Sequence, residues 1–291
     1  MKTVIYQLPN GISLTLRTSE DPDNRPVVIL CHGFCGIQDI LLPAFAESLT
    51  SAGFNTVTFD YRGFGSSLGE RGRLVPAMQI EDILSVVEWI KAQPNMSTRR
   101  IGLWGTSFGG CHVFGAAANN PDIACVVSQL AFADGEEVVT GKLSQEEKQS
   151  FIATLDKMAA KQQTTGKETF VGVTRVLNDA ESKTFFETNK TLYPAMDIKI
   201  PFLTVRETLG YKPKDNAARV TCPVLVVVAG EDTVNPPEQG VALYNAVGSL
   251  HKALHIEEGA KHYDMYSGKH FDNITTIQTD WFRKHLNYTH L

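Results

Sequence analysis

Long apolar runs are missing from this 291-residue chain: none approaches the roughly 18 consecutive apolar residues that a membrane span requires. The opening residues, MKTVIYQLPNG, lack the apolar stretch of about 7–15 residues and the small-residue cleavage site of a secretory signal. Positive charge is also short. Lys and Arg number 27 against 32 Asp and Glu, for a net charge of −5. A nucleic-acid binder needs a basic face to displace counterions, and an anionic membrane attracts the same face, so neither partner is expected. Cysteine pairing signatures are missing too. Cys31, Cys35, Cys111, Cys125 and Cys222 make an odd count, form no CxxC pair and show no zinc-finger spacing with histidine. Buried free thiols in a reducing compartment fit this pattern, and a cytoplasmic protein is expected. No internal repeat or low-complexity tract occurs.

What is present is ordinary globular material, 43% hydrophobic and 20% charged. A chain of this length buries a large core without metal or disulfide staples, and one core domain with an insertion is expected. Residues 4–8 and 12–17 alternate around the turn signal Pro9-Asn10-Gly11, the pattern of a hairpin. Residues 27–31, 54–59, 101–104 and 123–128 read as strands, and 41–52, 76–92 and 107–118 as helices between them. This alternation predicts a mostly parallel sheet of right-handed βαβ units. From 130 to 221 the rhythm changes to helical stretches over 144–162 and 166–178 and aromatic-rich irregular chain. It resumes with strands over 224–228 and 253–257 and helices over 237–247 and 271–286. The expected architecture is therefore an α/β core made of 1–129 and 222–291, with 130–221 as a helical cap.

The sharpest chemical signal is Gly105-Thr106-Ser107-Phe108-Gly109, where an expected strand meets an expected helix. G-x-S-x-G in that context is a tight turn that lifts a serine hydroxyl above the sheet. Its glycines are needed where a Cβ would strike a neighbouring strand or helix. The helix start also offers free N–H groups and a positive dipole end to a developing anion. His32-Gly33-Phe34-Cys35-Gly36 follows another strand, at the place of the second oxyanion donor. The main-chain N–H groups of Phe34 and Phe108 are the expected pair, with His32 bracing the loop.

A serine nucleophile needs a base oriented by an acid, and in this architecture they follow it in the order acid, then histidine. Asp232 follows the 224–228 strand and is the expected acid. His262 follows the 253–257 strand and is the expected base. Glu231 neighbours the acid but points elsewhere in the turn, and Asp264 stands too close to His262 in sequence to orient it. His112 is expected to pack inside its helix; His251, His255, His270, His285 and His290 are expected to be surface or strand residues. Asp60 is expected to tie down its loop, and Arg62 and Arg71 to form loop salt bridges, with contact to a substrate carboxylate as the alternative.

Taken together, HGFCG, FDYRGFGSS, GTSFGG, GEDTVNPPE and GAKHYDMYSG resemble the α/β-hydrolase superfamily. More narrowly, DYRGFGSS, YKPKDNAARVTCPVLVVVAGEDTVNPPE and HYDMYSG…WFRKHL look like the dienelactone-hydrolase-related and fungal polyketide-transferase-like group. That resemblance implies esterase or acyltransferase chemistry on the same serine. Dienelactone hydrolases proper use cysteine at that place, and Cys111, one helical turn on, is no substitute.

The expected activity is cleavage of a carboxylic ester with an apolar part, through an acyl-enzyme on Ser107, without metal or organic cofactor. The same triad also serves thioesters, acyl transfer and C–C hydrolysis, and a non-catalytic ligand receptor on this fold is the reading from another class. The cap aromatics Phe132, Phe151, Phe170, Phe185, Phe186, Tyr193, Phe202 and Tyr211 are divided between the cap's own core and an apolar pocket. The expected partner is a small-molecule ester; the sequence leaves the oligomeric state, a homodimer included, open.

Overall fold

A computed structural model describes residues 1–96 and 100–286. In chain order the first half carries β1 (Lys2–Gln7), β2 (Ser13–Thr18), β3 (Val27–Cys31), α1 (Leu42–Ser51), β4 (Asn55–Phe59), α2 (Pro76–Lys91), β5 (Ile101–Thr106), α3 (Phe108–Asn119) and β6 (Ile123–Gln129). There follow α4 (Gly135–Thr140), α5 (Gln145–Thr165), β7 (Phe170–Gly172), α6 (Ala180–Asn189), β8 (Lys199–Pro201), α7 (Thr204–Leu209) and α8 (Pro213–Ala217). The chain closes with β9 (Val224–Ala229), α9 (Pro237–Ala246), β10 (Lys252–Glu257) and α10 (Gly268–His285).

Among the described residues, eight strands form one sheet in the order β1-β2-β4-β3-β5-β6-β9-β10. β1 and β2 pair antiparallel, as does β2 with β4; β4 through β10 run parallel. The central parallel strands β3 and β9 are continuous apolar runs because helices cover both faces. VVILC of β3 and VLVVVA of β9 are buried at every position. Alternate residues serve opposite faces: Val27 and Ile29 pack with α2, α3 and α9, whereas Val28 and Leu30 pack with α1 and α10. Crossover connections bring the C-terminal ends of β3, β5, β9 and β10 to one edge, and the loops after them lie together there. No helix among the described residues is long and apolar enough to cross a membrane.

The segment between β6 and β9 departs from expectation in detail. A helix over 166–178 does not form. Val171 pairs with Ile200 in a short antiparallel ladder of β7 and β8, and Val173–Arg175 makes a single 3₁₀ turn. The β-branched residues Val171, Val173 and Thr174 oppose helix there, and Ile200 supplies a buried partner. The helix begun at Ser144 does form and runs to Thr165, closed by a capping box with Glu147 and by Gly166 in the left-handed conformation. Asp134 sits where this segment leaves the sheet. Its carboxylate accepts from Lys212 Nζ at 2.7 Å and Lys214 Nζ at 2.8 Å, joining the segment's two ends. Gln239 of α9 reinforces the join by accepting from the N–H groups of Ala133 and Asp134.

Candidate active site

Ser107 stands between β5 and α3 with φ 55° and ψ −119°, in the region that side chains other than glycine rarely adopt. The bend is possible because its flanks carry no Cβ. One at Gly109 would lie 2.2 Å from the Cys31 carbonyl oxygen. One at Gly105 would lie 2.3 Å from the Gly109 oxygen. The Ser107 N–H donates to Gln129 O of β6 at 2.8 Å and fixes the turn to the sheet. Strain of about 1–3 kcal/mol per such residue persists only where surroundings impose it. Four of the five positive-φ residues other than glycine in the described chain, Cys35, Leu41, Ser107 and Leu130, gather around this turn.

Phe108 opens α3, so its N–H lacks an intrahelical acceptor. Phe34 occupies the second position of the turn closed by Gly36 N–H to Gly33 O at 3.1 Å, a position whose own N–H the turn does not use. The two rings meet edge to face at 5.5 Å. Gly33 comes so close that an added Cβ would stand 3.1 Å from Ser107 Cβ. His32 braces this loop: Nδ1 accepts from Gly33 N–H at 2.7 Å and Nε2 donates to Ile40 O at 2.9 Å. Burial pushes its imidazole down to about 4, so it is neutral near pH 7.

His262 Nδ1 and Asp232 Oδ2 are 2.8 Å apart, and both side chains are almost wholly buried. A carboxylate only accepts, so Nδ1 carries the proton and Nε2 is left as the basic nitrogen. Asp232 Oδ1 accepts from the N–H groups of Val234 and Asn235 at 2.8 and 2.9 Å, which fixes the carboxylate. Glu231 N–H donates to Ala260 O at 2.8 Å, tying the acid's loop to the histidine's. Asp264 turns away and accepts from Lys261 N–H at 2.8 Å. Ser107 and His262 line one compartment of about 30 Å³. Ser107 also lines a second of about 540 Å³ beneath the 130–221 segment.

Three side chains around these groups escape a reading of the sequence. Asn235 Nδ2 donates to Leu130 O at 2.7 Å and lies 3.4 Å from Ser107 Oγ. Tyr266 OH and Thr106 Oγ1 are 2.6 Å apart, and Tyr263 OH and Ser182 Oγ 2.9 Å. Burial pushes both phenols up, so they are neutral. The turn residues TVNPP and the dipeptides HY and MY are the only signals these leave in the sequence.

The remaining expectations divide. His112 packs inside its helix between Gln79 Oε1 at 2.7 Å and Tyr211 OH at 2.9 Å. Asp60 ties its loop by accepting from Gln38 and Ser66 N–H groups, and Arg62 pairs with Asp82 and Glu81. Arg71 forms no salt bridge among the described residues; it donates to the carbonyls of Gly65 and Ser67, which turn toward it in the loop. His255 is a strand residue on β10, as expected, whereas His270 lies on α10; both bond Glu257 and join the two elements. His290 lies outside the described residues.

Comparison with known proteins places the chain in a family. An Escherichia coli protein, the uncharacterized 31.7 kDa protein in the traX-finO intergenic region, is 60% identical over 98% of this chain and 100% of its own length. The quorum-quenching protein AidA of Acinetobacter baumannii is 27% identical over 89% of this chain and 86% of its own. The solved structure of DcsB in complex with its substrate analogue matches with a TM-score of 0.83 at 23% identity, covering 98% of this chain and 99% of that one. That last likeness speaks for the fold alone. The profile of the family described as serine aminopeptidase, S33, matches residues 22–265, and on that match the chain belongs to this family of α/β hydrolases.

Proposed function

We propose that the protein is a serine hydrolase that cleaves a carboxylic ester with an apolar part through an acyl-enzyme on Ser107. The observation that carries this reading is the buried His262–Asp232 hydrogen bond facing the compartment that Ser107 also lines. In the first step His262 Nε2 takes the Ser107 proton as Oγ attacks the carbonyl carbon. Asp232 holds the ring in the right tautomer and stabilises the imidazolium. The Phe34 and Phe108 N–H groups receive the oxyanion, a contribution of about 3–4 kcal/mol per donor in such sites. His262 then protonates the leaving oxygen. Water, deprotonated by the same nitrogen, attacks the acyl-enzyme and releases the acid.

In this reading 1–129 and 222–291 form the catalytic core, and 130–221 is a cap that shapes the pocket. Five free cysteines, four of them buried, fit residence in a reducing cytoplasm. A fluorophosphonate probe tests the proposal. One label per chain on the peptide holding Ser107 is expected, and an unlabelled native protein would refute it.

A further inference from the structure

We infer that the substrate carries its bulk on the acyl side and leaves as a small alcohol, so that the natural bond is a simple alkyl ester of a bulky apolar acid. This rests on Ser107 as nucleophile and His262 as base. Two compartments meet at Ser107 and share Phe34, Leu177 and Val234, but His262 lines only the smaller one and Phe108 only the larger. The leaving oxygen must take its proton from His262 Nε2, so the leaving group lies in the histidine's compartment. The acyl chain is left with the other.

The volumes are far apart. The compartment of about 30 Å³ that His262 lines has room for far less than the other. The other, at about 540 Å³, takes a ring system or branched chain and has Phe132, Val138, Phe151, Phe202 and Val205 among its walls. The small compartment's walls are braced. Phe185 stacks on Tyr263 with ring centroids 4.5 Å apart and planes 17° off parallel. Phe186 is buried beside it, and Tyr266 is held by Thr106. A bulky alkoxy group would press on an aromatic wall that is itself hydrogen-bonded and stacked. The reaction balances as ester plus water giving acid plus small alcohol: the acyl–oxygen bond breaks, the alcohol takes its proton from His262, and water restores the serine.

Two isomers isolate the point. Methyl 4-phenylbutanoate and 3-phenylpropyl acetate have the same formula with the bulk on opposite sides of the carbonyl. Their rates, followed by acid release and divided by their hydroxide-catalysed rates, should favour the methyl ester by about tenfold or more in kcat/KM. Phe185→Ala, or the milder Phe185→Leu, opens the small compartment and should narrow the ratio by raising turnover of the acetate. An equal or reversed ratio from protein whose Ser107 still takes up one fluorophosphonate would overturn the partition while leaving the nucleophile in place. Failure of Ser107 to take up the probe would overturn the nucleophile itself and the partition with it.

Discussion

Asn235 fastens the loop of the proposed acid to the end of β6: its Nδ2 donates to Leu130 O at 2.7 Å, a carbonyl aimed by the positive φ of Leu130. The same nitrogen lies 3.4 Å from Ser107 Oγ, and the Asn235 N–H donates to Asp232. One residue thus touches the elements that hold both Ser107 and Asp232. Asn235→Ala removes a buried donor and leaves Leu130 O without its partner. A loss of about 1–3 kcal/mol in stability is expected, with kcat down about tenfold and KM little changed. Denaturant melts and steady-state kinetics on one activated ester check both, and unchanged kcat would remove Asn235 from the site's support.

Asp232→Asn keeps the shape of the side chain but presents an amide where a carboxylate accepts from His262. The imidazole loses its tautomer and its counter-charge, and kcat should fall by about 10⁴. Glu231→Gln and Asp264→Asn should stay within a few-fold of the parent, because Glu231 is exposed and the Asp264 carboxylate is engaged by the Lys261 N–H. Rates of the three variants under one set of conditions decide the assignment, and a crippled Asp264→Asn would reassign the acid.

In the proposed mechanism Phe34 acts through its N–H, while its ring lines both compartments. Phe34→Ala should therefore raise KM and shift acyl preference with modest change in kcat. Phe34→Pro deletes the donor at a turn position that accommodates proline, and should lower kcat by about 10²–10³. Equal kcat losses in two variants of parental melting temperature would move the role from the backbone to the ring.

His32 and His112 are both buried and neutral, pushed by desolvation down to about 4 and about 3. Their ordinary value is about 6.5, so on acidification the unfolded chain binds these protons before the folded one does. Stability therefore rises with pH between about 4 and 6.5, by about 1.4 kcal/mol per pH unit for each histidine. Melting temperature against pH should be steep in that window, and His112→Gln should flatten it. A His112→Gln curve parallel to the parent's would mean that His112 is protonated in the fold.

The elements that turned out as expected are those whose local signals and long-range packing agree. β3 and β9 are short, β-branched apolar runs buried at every position, which read as central strands. GTSFG needs its glycines because Cys31 O and Gly109 O press on them, so the sequence pattern and the steric cause coincide. The 166–178 stretch misled because its helical spacing competes with a β-ladder whose partner, Ile200, lies far along the chain. Asn235 was illegible for a related reason. A turn asparagine usually serves its own loop, and only the fold brings Leu130 and Ser107 to its amide.

Ser107 carries the central claim, and its replacement by alanine tests it most directly. Ala removes one oxygen from a strained turn and leaves the fold and the pocket in place. Turnover of a nitrophenyl ester by purified, folded Ser107→Ala should fall by about 10⁶-fold from the parent rate, with the pre-steady-state burst abolished. Parental turnover in that variant would contradict the account.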